Sequence, residues 1–258
     1  MAETILSLDR LSKSFGALRV ADAVTLEIER GELHALIGPN GAGKTSLIHQ
    51  LSGALATDSG SIVFDGEDVT ALPMHARARR GLARTFQITS ILPRFTVLEN
   101  AALAAQSRSG TSFRLFGDAA AEEPLNREAM DMLAVVGLAD RANVIANTLS
   151  HGEKRGLELA VALALQPKLL LLDEPMAGAG AQESARLVET LLRLKRRYTI
   201  LLVEHDMQAV FALADRISVL VNGRLIATGD PDAVRSDARV RAAYLGETQP
   251  PTGHIPQC

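Results

Sequence analysis

Apolar residues fall in short alternating or continuous runs at positions 5–8, 24–28, 33–37 and 61–64, and each run reads as a β-strand; Asp65-Gly66 then marks a turn. The run at 33–37 leads into a glycine-rich loop and an apolar segment over 44–51, so the order is strand, loop, helix. From about residue 77 to about 165 the pattern turns mostly helical. Thr96 with Glu99 three residues later is a capping box opening a helix through Ala105, and Leu125, Met132, Leu133 and Val136 share one face of another. Between them, 107–123 reads as an irregular loop or insertion. Strand character resumes at 169–172, followed by a helix over about 182–197 and a buried strand at 199–203. Runs at 217–221 and 224–227 flank Asn222-Gly223, a hairpin signal, and Asp230-Pro231 opens a further short helix. No internal repeat is present. A helical insertion within an α/β core is the simplest account, with a disordered tail over 247–258, where three prolines follow Thr248.

Composition narrows the classes. Hydrophobic residues at 47% and charged residues at 22% of 258 are those of a folded protein, not a disordered one. A formal net charge of -3 supplies no global attraction to nucleic acid, so no nucleic-acid partner is expected. The only cysteine is Cys258, which excludes an intrachain disulfide and a cysteine-held zinc and fits a reducing compartment. The first ten residues do not read as a secretory signal. The longest apolar runs, 159–165 and 169–172, fall short of the roughly 18 residues of a spanning helix, so a membrane role requires a partner.

The segment Gly38-Pro39-Asn40-Gly41-Ala42-Gly43-Lys44-Thr45 fits the full phosphate-loop pattern and sits between the expected strand and helix. Its glycines let backbone N–H groups converge on phosphate oxygens, and the helix start adds partial positive charge. Lys44 supplies a point charge to the β and γ phosphates, Thr45 offers its hydroxyl to Mg2+, and Ser46 follows on the same helical turn. The strand at 169–172 ends in Asp173 and Glu174, at the edge where ligands bind in open α/β sheets. Asp173 is placed to hold Mg2+, directly or through water, and Glu174 to act as general base on an attacking water.

Taken with Leu149-Ser150-His151-Gly152-Glu153 and His205, these motifs resemble the ATP-binding-cassette ATPases over about residues 5–246. The resemblance implies a P-loop core with an amino-terminal antiparallel β subdomain and an inserted α-helical subdomain at about 88–165, together spanning 4–246. It implies two cassettes sandwiching two ATP molecules, with Ser150 and Gly152 of one closing over the γ-phosphate held by the other. By the same likeness Gln87 links Mg2+ and the attacking water to the helical subdomain, His205 contacts the γ-phosphate, and Phe15 stacks on adenine. His151 and Glu153 depart from the family's commonest signature, and Gly180 stands where a polar or acidic residue is usual.

Residues 84–87, 96–100, 204–207 and 243–246 look like those of ATPases from branched-chain amino acid importers, and related urea and amide importers share them. Lipopolysaccharide-export ATPases share the ending, but their glutamine loop reads differently. The expected partners are transmembrane permease subunits docking near residues 87–99, a second ATPase subunit and, indirectly, an extracytoplasmic solute-binding protein. The expected place is the cytoplasmic face of the bacterial inner membrane. A non-transport cassette protein of translation or DNA repair would usually carry two phosphate loops or a long coiled coil, and a GTPase would carry Asn-Lys-x-Asp. Neither pattern occurs here.

Overall fold

A computed structural model describes residues 3–85, 91–108 and 123–245. Gln87, most of the expected loop at 107–123 and the tail over 247–258 therefore lie outside the described residues. In chain order the larger elements are β1 (Thr4–Phe15), β2 (Leu18–Glu29), β3 (Leu33–Ile37), α1 (Lys44–Ser52), β4 (Ser59–Phe64), β5 (Glu67–Asp68), α2 (Met74–Arg79) and β6 (Leu82–Arg84). The helices α3 (Val97–Arg108), α4 (Glu123–Val135) and α5 (His151–Ala164) follow, then β7 (Leu169–Asp173), α6 (Ala181–Leu194), β8 (Thr199–Val203) and α7 (Met207–Leu213). The chain continues through β9 (Arg216–Val221), β10 (Arg224–Gly229), α8 (Pro231–Ser236) and α9 (Ala238–Leu245).

Two sheets form. An antiparallel sheet has the order β2-β1-β4-β5, and a six-stranded sheet has the order β10-β9-β3-β8-β7-β6, parallel except for β10. The central strands β3, β7 and β8 are buried along their whole length, which is why their sequences read as unbroken apolar runs. Their side chains alternate between two cores. Leu36, Leu169, Leu171, Leu201 and Val203 face α1 and the antiparallel sheet, so Leu47, Ile48 and Leu51 of α1 are clamped between the sheets. Leu33, Ile37, Leu170, Leu172, Ile200 and Leu202 face α5, α6 and α7. Each such leucine or isoleucine contributes about 1.5–3 kcal/mol by leaving water. A third core joins α3, α4 and α5 through Val97, Ala101, Leu133 and Leu157, and its alanines let the helices approach closely.

One reading is refined. The stretch after residue 77 is not uniformly helical, because 82–84 pairs in parallel with β7 and forms the edge of the main sheet. A three-residue strand is too short for a period-two pattern to register. Phe15, expected at the adenine, is 51% exposed. No helix among the described residues is long and apolar enough to cross a membrane.

Candidate functional site

The sheet order places β3, β8 and β7 side by side and parallel, so the loops after them open at one edge. The phosphate loop follows β3, Asp173 and Glu174 end β7, and Glu204 and His205 follow β8. This places the phosphate loop, Asp173, Glu174 and His205 at one edge of the sheet.

Packing sets the loop's shape. Gly43 has φ +103, and a Cβ there would run into the carbonyl oxygen of Val20 on β2. A Cβ on Gly38 would meet the Leu220 carbonyl of β9. Glycine is thus required by close backbone approach as well as by torsion. The loop is also buttressed by the β9–β10 turn, where Gly223 N–H donates to the Ala42 carbonyl at 2.9 Å and Asp22 N–H to the Gly223 carbonyl at 2.8 Å. Lys44 is buried, its ammonium donating to the carbonyls of Gly38 at 2.7 Å and Pro39 at 3.0 Å. Pro39, Asn40, Gly41 and Ala42 complete the turn, and Thr45 and Ser46 sit half-buried on the first turn of α1. Phe15 lies at the end of β1 with the Lys13 ammonium 5.6 Å from its ring centroid, a flat aromatic face left on the surface.

Asp173 is 4% exposed. One oxygen, Oδ2, is 3.0 Å from Nη2 of Arg84, the last residue of β6; the other, Oδ1, is buried with no hydrogen-bond partner among the described residues. An orphaned hard oxygen on a buried carboxylate fits a divalent cation or its bound water. Among the described residues no group of three or more acidic, histidine or cysteine side chains could hold a metal alone. Such a donor set suits Mg2+, which usually takes one or two carboxylates together with nucleotide phosphates and water.

Glu174 has φ +48, an uncommon left-handed conformation for a side-chain-bearing residue, and its N–H donates to the Val203 carbonyl at 2.9 Å. Strain of this kind gathers at functional sites, where the surrounding structure enforces it. Glu204 is fully buried, and its two oxygens accept from the N–H groups of Met176 at 2.7 Å and His205 at 3.0 Å. That carboxylate ties the loop after Glu174 to the loop carrying His205, whose imidazole is exposed. Sequence reasoning missed Glu204 and Arg84 as site supports. The available signal was a charged residue at the end of an apolar strand, which does not reveal its partner.

Ser150 caps α5. Its Oγ accepts from Glu153 N–H at 3.3 Å, while Glu153 Oε2 accepts from Ser150 N–H at 2.8 Å, and Arg141 Nε lies 3.0 Å from Glu153 Oε1. The Ser150 backbone and Arg141 hold the Glu153 carboxyl below its ordinary pKa. The Glu153 departure from the family signature therefore serves the helix cap. Gly152 lies directly under the Glu183 carboxylate of α6, where a Cβ would collide. Arg155 donates to the Ala177 carbonyl and so ties α5 to the loop after Glu174. Ser150 and Gly152 line a cavity of about 230 Å³ with Glu183 and Arg186, and no phosphate-loop residue is among its described walls. The structure thus does not bring the α5 start onto its own phosphate loop. Gln87 lies outside the described residues, and Gly180 forms the bare N-cap of α6.

Comparison with known proteins identifies the class of protein. Residues 21–177 match the family model described as ABC transporter, and residues 224–249 match the one described as branched-chain amino acid ATP-binding cassette transporter. The high-affinity branched-chain amino acid transport ATP-binding protein BraF of Pseudomonas aeruginosa is 37% identical over 255 residues, 96% of this chain and 100% of that protein. LivG of Escherichia coli (strain K12), with the same description, is 37% identical over 256 residues, 96% and 100% of the two chains. The lipopolysaccharide export system ATP-binding protein LptB of Haemophilus influenzae is 34% identical over 245 residues, 95% and 98%. Among solved structures, an ATP-binding cassette of an ABC transporter in its ADP conformation superposes with TM-score 0.83 at 30% identity, covering 94% of this chain and 99% of that one. A nucleotide-free cassette gives 0.81 at 30%, covering 93% and 98%.

The chain belongs to the ABC transporter family and is an ATP-binding subunit of that class, an ATPase homologous to those of branched-chain amino acid importers.

Proposed function

We propose that two copies of this chain, or this chain and a close relative, bind ATP with Mg2+, close face to face, and drive transmembrane permease subunits between inward- and outward-facing states. The observation that carries the reading is the exposed start of α5. Ser150 accepts the Glu153 N–H, which leaves its hydroxyl proton to donate, and the first N–H groups of α5 form an anion-binding end beside a cavity with no phosphate-loop residue among its described walls. A second subunit's γ-phosphate is the group it would complete. Closure is then driven by ATP binding the closed pair more tightly than the open one.

In this reading Phe15 stacks on adenine; Gly38, Pro39, Asn40, Gly41, Ala42 and Gly43 wrap the phosphates; and Lys44, Thr45 and Ser46 contact them from the first turn of α1. Thr45, Asp173 and Gln87 would hold Mg2+, which supplies charge neutralisation at the phosphates. Glu174 withdraws a proton from the attacking water, and His205 contacts the γ-phosphate. Residues 4–246 work as one cassette, with about 88–165 as its helical arm. Leu92, Phe95 and Ile145 are exposed on that arm, joined through the Phe95–Leu92 and Ala146–Phe95 backbone hydrogen bonds, and supply an apolar surface for a permease.

The carboxyl-terminal match and the 37% relatives favour import of branched-chain amino acids, or of a related small polar solute such as urea or an amide, delivered by an extracytoplasmic binding protein to a complex on the inner membrane. The LptB likeness supports an export complex as the second reading. Reconstitution with permease subunits of the branched-chain amino acid importer class, followed by uptake of labelled leucine into vesicles, separates the two. Glu174→Gln tests the chemistry: ATP affinity stays within about twofold while turnover falls at least about a hundredfold, the scale of general-base catalysis. Turnover within tenfold of wild type sinks the assignment of Glu174.

A further inference from the structure

β6 is the short edge strand of the main sheet, and Arg84 is its last residue. Leu171, its register partner on β7, lies two positions before Asp173 and so on the same face. The Arg84 guanidinium reaches over that face. Its Nη2 lies 3.0 Å from Asp173 Oδ2, with the two side chains 6% and 0% exposed, and its Nη1 lies 3.4 Å from the Ser52 hydroxyl at the end of α1. The guanidinium is therefore wedged between the phosphate-loop helix and the carboxylate that the proposed mechanism assigns to Mg2+.

A buried carboxylate needs a counter-charge, and removing one member of such a pair strands the other. Arg84 supplies that charge at Oδ2, and Oδ1 has no hydrogen-bond partner among the described residues. A divalent cation arriving at Asp173 would meet a carboxylate whose charge is already matched. It gains little from that carboxylate until the guanidinium gives way or other negative groups arrive with it.

We infer that Arg84 is a positioning residue: it holds the Asp173 carboxylate in place, and it competes with Mg2+ for that carboxylate, so that the metal binds well only together with nucleotide phosphates. The inference rests on Asp173 being the Mg2+ carboxylate. It gives the site a preference for the metal–nucleotide complex over free metal, built from one residue of a three-residue strand.

The test uses the full chain and Mg2+ alone. Thermal unfolding of wild type without nucleotide should be indifferent to Mg2+ up to millimolar concentration. Arg84→Gln should melt lower without metal and regain stability on adding Mg2+, with a half-point in or below the millimolar range and on the order of tenfold under that of wild type, which lies above it, the scale of one unit charge acting on a divalent ion through a high dielectric. Affinity for ATP in EDTA should match wild type. Arg84→Lys, which keeps the charge as a single point donor, should fall between. A Mg2+ half-point for Arg84→Gln equal to that of wild type within twofold, or higher, overturns the inference. Should Arg84→Gln fail to fold, wild type decides: the Arg84 Nε–H resonance in arginine-labelled protein should shift with ATP and Mg2+ but not with ATP and EDTA, and a signal unmoved by both overturns it. Asp173→Asn separates the two levels. If it leaves the Mg2+ dependence of ATP binding intact, the metal assignment itself fails; if it abolishes that dependence while Arg84→Gln changes nothing, only the role of Arg84 fails.

Discussion

Arg77 on α2 is a buried charge held without a carboxylate in contact among the described residues. It is 2% exposed, and its guanidinium donates to four backbone carbonyls: Gln50 and Leu51 at 2.7 Å each, Leu72 and Thr70 at 2.9 Å each. Two of these are orphan carbonyls at the end of α1, so Arg77 caps the helix whose other end carries the phosphate loop. Burial lowers its pKa, with Asp68 opposing, a sign of the desolvation it bears. In Arg77→Met the Gln50 carbonyl keeps a second donor, the Gly53 N–H at 3.2 Å, and the other three carry the loss. At about 1–1.5 kcal/mol for each carbonyl left unpaired, the gross cost is about 3–4.5 kcal/mol. Relief of guanidinium desolvation offsets part, leaving about 2–4 kcal/mol net destabilisation. Arg77→Lys should recover less than half, because one ammonium cannot reach four carbonyls arrayed around a planar fork. Urea unfolding followed by far-ultraviolet circular dichroism measures this, and a chain of this length should also melt about 5–12 °C lower. A loss under 0.5 kcal/mol in Arg77→Met, or full recovery by lysine, refutes the reasoning.

Two further outcomes follow from the geometry. Burial pushes Glu158 on α5 up to about 7 from its ordinary 4.5, against the pull of Arg155. Between those values the folded chain holds a proton that the unfolded chain has released, so stability falls as pH rises from 4.5 through 7 and the loss is complete above it. Discounted for partial exposure, that loss is about 1–2 kcal/mol. Glu158→Gln should be more stable than wild type by this amount at pH 8 and equal at pH 4, and a difference that does not grow with pH in denaturation curves refutes it. Gly43→Ala forces a Cβ toward the Val20 carbonyl at φ +103. It should cost about 1–3 kcal/mol of stability and at least tenfold in ATP affinity by calorimetry, and unchanged affinity would show that the loop adapts.

What the sequence makes legible is what three or four neighbouring residues decide. The capping box at Thr96 forms as read: Thr96 N–H donates to Glu99 Oε2 at 2.6 Å and Glu99 N–H to Thr96 Oγ1 at 3.1 Å, and Ser150 and Glu153 pair likewise. The Asn222-Gly223 turn sits between β9 and β10, and Asp230 caps α8 with Pro231 at its start. The phosphate loop is legible for the same reason, since its pattern is a local backbone path. The helix α3 runs past Ala105 to Arg108, and β1 and β2 extend well beyond their apolar runs, because polar residues there pair across an exposed face that no periodicity marks. β6 escapes notice because its three residues are fixed by β7, far along the chain.

The illegible part of the site has one physical character: charge balanced at a distance. Arg84 and Asp173 are 89 residues apart, Glu204 reaches back 28 to Met176, and Arg77 reaches 27 to Gln50. His34, fully buried, bonds Glu32 nearby at 3.0 Å but also Ser218 at 2.9 Å across 184 residues, and Ser218 joins Thr228 at 2.8 Å. No propensity or motif encodes these pairings, because each residue type would serve as well on a solvated face. They become necessary only once folding has removed the water that would otherwise satisfy them. The phosphate cradle, made of main-chain N–H groups and a helix end, comes from local torsions and is spelled out in eight consecutive residues. The ion-pair partner of the acid beside it is set by which strand lies at the sheet edge. A relative that kept the eight-residue loop but lost β6 or its terminal arginine would retain the cradle, while Asp173 would be left without the counter-charge that β6 delivers.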